Sequence, residues 1–142
     1  MSQVRITGGA WRSRLVQVID APGLRPTPDR VRETLFNWLG QDLSGLACLD
    51  LFAGSGILGF EAASRGAASV VLVERDQRVG AMLRQNAATL GDGRVEVVRA
   101  DALEFAVGCA RQCRTFDLVM LDPPYRQSWL DRLWPALPAI AR

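Results

Sequence analysis

Ala47-Cys48-Leu49-Asp50-Leu51-Phe52-Ala53-Gly54-Ser55-Gly56-Ile57-Leu58-Gly59-Phe60 passes from an apolar run through a glycine turn into a helical pattern, and its reading sets the fold. A continuous apolar run predicts a strand covered on both faces, over Ala47–Phe52. The same alternation continues along the chain. Strands are predicted over Ser69–Glu74, Arg94–Arg99 and Phe116–Leu121. Helices are predicted over Ile57–Arg65, Gln77–Leu90 and Ala102–Arg111, closed by Gly66, Gly91 and Cys113-Arg114. Successive strand-helix units of this kind build a parallel sheet with helices on both faces, an α/β fold.

The first 45 residues differ in character. Arg5-Ile6-Thr7-Gly8-Gly9-Ala10-Trp11-Arg12-Ser13-Arg14-Leu15 reads as a glycine-turned hairpin, and Pro26-Thr27-Pro28-Asp29 leads into a helix over Arg30–Leu39. On that helix Val31, Leu35, Trp38 and Leu39 recur at helical spacing, a stripe expected to pack on the core, with Arg30, Arg32 and Glu33 elsewhere. Residues 1–45 are thus an appendage to a sheet domain over residues 46–142.

At 142 residues and 49% hydrophobic content, the chain is long enough for one domain. No apolar run reaches bilayer length and no signal-peptide core follows Met1, so a cytoplasmic protein is expected, with no membrane partner. Cys48, Cys109 and Cys113 form no CxxC pair, which argues against a disulfide framework and a metal site. All 17 basic residues are arginine, and the net charge is +2. Six of them (Arg5, Arg12, Arg14, Arg25, Arg30, Arg32) fall between positions 5 and 32, against Asp20 and Asp29. That is either a phosphate-binding surface or a solvated basic face.

The residues that carry chemistry stand at strand ends. Asp50, Ala53, Gly54, Ser55 and Gly56 form a glycine loop at the carboxyl edge, where open α/β sheets bind ligands. With Gly59 the run satisfies GxGxxG, so by itself it does not separate nucleotide-binding classes. Glu74, followed by Arg75, ends the second strand and can accept two hydrogen bonds from ribose hydroxyls, in a nicotinamide dinucleotide or in S-adenosylmethionine. Asp101-Ala102 ends the third, where the carboxylate is either an acceptor for an adenine amino group or only a helix N-cap.

The fourth strand end, Asp122-Pro123-Pro124-Tyr125, sets the chemical class. Two prolines fix the turn and remove two amide donors, leaving Asp122 oxygens and a proline carbonyl as acceptors beside an aromatic face. An amino group donating two hydrogen bonds there would aim its lone pair at an incoming methyl while Tyr125 stacks on the base. Transfer from a sulfonium needs positioning and no prior general base, which suits a chain without histidine or lysine.

On these residues the chain resembles the bacterial S-adenosylmethionine-dependent methyltransferases of guanine N2 in 16S ribosomal RNA. The resemblance rests on Gly8-Gly9-Ala10-Trp11-Arg12, on the block Leu24-Arg25-Pro26-Thr27-Pro28-Asp29-Arg30-Val31-Arg32-Glu33-Thr34-Leu35-Phe36-Asn37-Trp38-Leu39, and on the four strand-end motifs. It implies a Rossmann-like class I methyltransferase sheet, with Asp122 and Tyr125 at the target base, Glu74 and Asp101 at the cofactor, and Thr27 and Arg30 near its methionine moiety. It also implies that the hairpin contacts RNA, through Arg5, Trp11, Arg12, Arg14 and Arg25. The partner expected is 16S ribosomal RNA, free or in an assembling small subunit, and the protein is expected to be a monomer.

Two features depart from the family pattern. Ser13 stands where such enzymes have glycine. The chain stops at Arg142 while the family's fold continues, so C-terminal strands are expected to be missing and the fourth strand to be a long, apolar, unpaired edge. Three other readings use some of the same residues: a DNA or RNA adenine-N6 methyltransferase, a non-catalytic RNA-binding protein with this fold, and an NAD-dependent oxidoreductase. The last leaves Asp-Pro-Pro-Tyr and the arginine-rich segment unexplained.

Overall fold

The apolar runs pair as one parallel sheet in a computed structural model that describes residues 2–19, 28–91, 93–121 and 129–141. The hairpin strands β1 (Ser2–Arg5) and β2 (Leu15–Val18) pair antiparallel, and helix α1 (Asp29–Leu39) follows. The core then runs β3 (Ala47–Asp50), α2 (Ile57–Ser64), β4 (Ser69–Glu74), α3 (Gln77–Leu90), β5 (Val95–Arg99), α4 (Ala102–Arg111) and β6 (Leu118–Met120). Short helices α5 (Trp129–Leu133) and α6 (Leu137–Ile140) close the described chain. Strand order is β5-β4-β3-β6.

Helix ends follow local chemistry. The Asp76 carboxylate accepts from the Val79 amide at 3.0 Å, and that of Asp101 from Glu104 at 3.1 Å, satisfying amides that a helix start leaves orphaned. Gly91 closes α3 at φ +78°. Ser13 adopts φ +71°, a left-handed conformation that costs a side-chain-bearing residue about 1–2 kcal/mol and that glycine would adopt without that cost.

The sheet is buried on both sides. Val70 and Leu72 of β4 join Cys48, Phe60, Leu83 and the hairpin's Ile6, Trp11 and Val16 in one cluster. Val71 and Val73 turn the other way, toward Leu49, Ala106, Cys109, Phe116, Leu133 and Ile140. This two-sided cover is what the unalternating runs predict. Burial raises the Cys48 thiol to about 11, with Asp117 adding to the effect. It raises Cys109 as well, so both act as neutral core groups. Among the described residues no helix is long and apolar enough to cross a membrane.

Three expectations change. The first and fourth strands end at Asp50 and Met120, short of Phe52 and Leu121, because the backbone turns while its apolar side chains stay under the sheet edge: Leu51 is buried and Phe52 half-buried. The expected long apolar edge is a three-residue strand. It pairs with β3 on one side, and just before it Phe116 bridges Ala141, with its amide donating to the Ile140 carbonyl at 2.7 Å.

Helix α1 also turns a different face inward. Val31 is 53% exposed and Trp38 83%, while Arg32 and Phe36 are fully buried. The cause is an ion pair: Arg32 reaches the buried carboxylate of Glu61 at 3.3 Å, and Phe36 lies under the Arg65 guanidinium, 4.8 Å from ring centroid to Cζ. The helix rotates to satisfy a charge rather than to bury its apolar stripe.

Candidate nucleotide and nucleic-acid site

Parallel strands end on one edge, where Asp50, the glycine loop, Glu74 and Asp101 lie. Asp50 pairs with Leu72 on one side and Met120 on the other, and Glu74 with Arg99. The loop after β3 holds Gly54 at φ +53° and Gly56 at φ +79°, and the Gly56 amide donates to the Ala53 carbonyl at 2.7 Å. A Cβ on Gly56 would lie 2.5 Å from Leu83, and one on Gly59 2.2 Å from Leu72, so the last two glycines of the motif serve close packing of α2.

The acidic residues around this loop are already engaged with backbone. Glu74 accepts from the Gly54 amide through Oε1 at 3.0 Å and from Asp76 through Oε2 at 2.9 Å, so it ties the glycine loop to the end of β4. Each oxygen keeps a second lone pair. Asp101 caps α4 through Oδ2, leaving Oδ1 without a hydrogen bond among the described residues. Cap and ligand are therefore compatible roles. Asp50 is buried and accepts from Phe52 at 3.1 Å, and Ser55 Oγ accepts from Ile57 at 3.3 Å. Ala53 and Ala102 are buried, while Arg30 and Arg75 are exposed. Thr27, Arg25 and the whole of Asp122, Pro123, Pro124 and Tyr125 lie outside the described residues.

The hairpin docks beside this loop. A small cavity, open to solvent, is lined by Gln17, Val18 and Ile19 of the hairpin, Gly54 and Ser55 of the loop, and Val79, Met82 and Leu83 of α3. Arg5, Arg12 and Arg14 are exposed. Trp11 is not: it is 7% exposed, with the Arg94 guanidinium 5.5 Å above its ring, so it supports the hairpin from inside and offers little surface for stacking.

Sequence reasoning passed over the groups that rivet the hairpin down. Ser64 of α2 accepts the Trp11 amide at 2.9 Å, and its carbonyl accepts Ala10 at 2.7 Å. Gly9, at φ +81°, must be glycine there, because a Cβ would lie 2.0 Å from the Ser64 carbonyl oxygen. Glu61 accepts from the Thr7 amide and hydroxyl, both at 2.6 Å, and pairs with Arg32 and Arg65. The signal was present in Ile57-Leu58-Gly59-Phe60-Glu61-Ala62-Ala63: a carboxylate in a helix otherwise apolar on every side must be paired inside the protein.

A sheet ordered β5-β4-β3-β6, with a glycine loop after its first strand in sequence and acidic residues at the next two strand ends, is the Rossmann-like class I methyltransferase fold. The chain belongs to the family described as "Conserved hypothetical protein 95", whose profile matches residues 4–140. It is 50% identical over 129 residues to Ribosomal RNA small subunit methyltransferase D of Escherichia coli (strain K12), covering 91% of this chain and 64% of that protein. The protein of the same name from Haemophilus influenzae is 47% identical over 125 residues, covering 87% and 64%. A solved structure called "Putative methyltransferase yhhF from Escherichia coli" superposes with a TM-score of 0.84 at 47% identity, over 96% of this chain and 73% of that one. The chain thus spans just under two thirds of the length of the two named relatives.

Proposed function

We propose that this chain carries the cofactor-binding and base-holding part of an S-adenosylmethionine-dependent methyltransferase acting on the exocyclic N2 of a guanine in 16S ribosomal RNA, free or in an assembling subunit. The observation that carries this reading is the shared edge, where the glycine loop, Glu74 and Asp101 follow adjacent parallel strands and the chain enters Asp122-Pro123-Pro124-Tyr125 from the end of β6. The names of the relatives give the substrate class. A monomer working in the cytoplasm is part of the proposal.

The residues present fit that cofactor. The spare lone pairs of Glu74 suit two ribose hydroxyls, and the free Oδ1 of Asp101 suits an adenine amino group. Backbone at Gly54 and Gly56 admits close approach, and the proposal assigns Asp50, Ala53, Ser55 and Ala102 to the floor and Thr27, Arg30 and Arg75 to the methionine and ribose ends. When bound, S-adenosylmethionine supplies an electrophilic methyl on a sulfonium. Asp122 and a proline carbonyl would accept hydrogen bonds from the two N–H groups of the target amino group and orient its lone pair toward the methyl donor, while Tyr125 would stack on the base. The amino proton departs to water once the C–N bond has formed, so the chain needs no general base.

Labelled methyl transfer to free ribosomal RNA and to small subunits, followed by nucleoside analysis, tests this directly. N2-methylguanosine is expected. N6-methyladenosine would reassign the base, and cofactor binding without any transfer would make this a binding protein. Glu74→Ala is expected to weaken S-adenosylhomocysteine binding by about 10- to 100-fold, since it removes a charged acceptor and frees the Gly54 amide. Calorimetric titration measures it, and an unchanged dissociation constant would remove Glu74 from the site.

A further inference from the structure

The hairpin does not end its basic surface at the turn; it lays that surface along α3. Arg14 donates to the Thr89 carbonyl at 3.1 Å. Gln17 and the buried Asn86 exchange two hydrogen bonds, at 3.2 and 2.8 Å. Val18 and Ile19 then face Val79, Met82 and Leu83 across the cavity. Strand β2 therefore runs antiparallel to α3, from its C-terminal end toward its start, where Glu74 and the glycine loop lie.

The solvent side of α3 has an unusual composition. Its 14 residues contain no carboxylate, although the chain has 15. Its exposed residues include Arg78, Arg84 and Gln85. Arg78, Gln85 and Thr89 stand at i, i+7 and i+11, which places them on one face, and Thr89 is where Arg14 docks. Arg78 has no hydrogen bond or ion pair among the described residues. It also sits in the first turn, where the helix dipole disfavours a cation, so local stability does not explain it. Eleven residues of helix separate Arg78 from the Arg14 contact, about 16 Å along the axis, a span of several nucleotides.

We propose that the RNA-contacting surface continues from Arg12 and Arg14 along the exposed face of α3 to Arg78, so that the phosphates of one strand are led from the hairpin to the cofactor edge. This rests on the proposed action on RNA and adds the path by which RNA approaches. The contact is to backbone phosphate, so it is insensitive to base sequence and sensitive to salt.

The test is fluorescence anisotropy with a labelled single-stranded RNA of mixed sequence and with a 16S ribosomal RNA fragment, across a salt series. For Arg78→Ala the expected result is a several-fold weaker affinity on both probes and a log-log salt slope smaller by about 0.7–0.9. S-adenosylhomocysteine affinity is expected to stay at the parent value. Arg111→Ala, on α4 across the sheet, is expected to leave the slope as in the parent. An unchanged slope for Arg78→Ala, or an equal drop for Arg111→Ala, overturns the path while leaving the proposed function intact. Failure of the parent to bind either RNA overturns both.

Discussion

Replacing Glu61 with alanine is expected to lower the free energy of unfolding by about 3–5 kcal/mol, the range for breaking a buried ion pair from one side. The carboxylate is fully buried on α2 and serves three segments at once: the hairpin through Thr7, α1 through Arg32, and its own helix through Arg65. Without it two buried guanidinium groups lose their shared counter-charge. Arg32 keeps the Arg5 carbonyl at 3.0 Å and its ion pair with Asp29, and Arg65 keeps Thr7 and Gln41, so the loss divides between counter-charge, which falls mainly on Arg65, and the four hydrogen bonds that the carboxylate accepts. That distinction separates two variants. Glu61→Gln retains an acceptor but not the charge and is expected to recover only part of the loss. Removing the charges together, with Arg32→Met, Glu61→Leu and Arg65→Met, is expected to recover most of it, because well-packed apolar groups replace a buried ion cluster at little net cost. Urea denaturation measures all three; a shift below about 1 kcal/mol for Glu61→Ala would mean that the arginines are solvated in solution.

The same cluster shows where sequence reading stops. The bounds of β4, α3 and α4 are legible because an apolar run, a capping aspartate and a closing turn residue all fall within a few positions of one another. The inward face of α1 is not legible, since periodicity counts every arginine as surface, and the partner that draws Arg32 inward lies 29 positions away on another helix. Trp11 differs in the opposite sense: the resemblance implies an RNA contact, while its ring lies in the core beneath the hairpin. At the candidate site, position is legible and engagement is not. Strand ends place Glu74 and Asp101 at the edge, but the donors they hold are the amides of Gly54, Asp76 and Glu104, which carry no sequence signature.

Substituting Asp122 with alanine is expected to cut methyl transfer by about 100- to 1,000-fold while leaving S-adenosylhomocysteine affinity within about two-fold of the parent. The separation follows from where the chain reaches this residue. Strand β6 pairs with β3 so that Met120 stands opposite Asp50, and the Leu51 amide donates to the Met120 carbonyl at 3.3 Å; Leu121, half-buried, leads directly into Asp122. The cofactor's ribose and adenine ends are assigned to the other side of β3, at β4 and β5, and the proposed reading gives Asp122 to the base rather than to the cofactor. Its acceptor strength matters most as positive charge develops on the attacking nitrogen, which makes its loss a defect in rate rather than in binding. Asp122→Asn keeps one acceptor oxygen but adds an amide donor facing the target amino group, and is expected to fall between parent and alanine in transfer rate. Single-turnover transfer and calorimetry on the same preparations read the two effects apart. If alanine costs cofactor affinity as much as it costs transfer, Asp122 shapes the cofactor edge, and the acceptors for the amino group must be sought in the proline carbonyls alone.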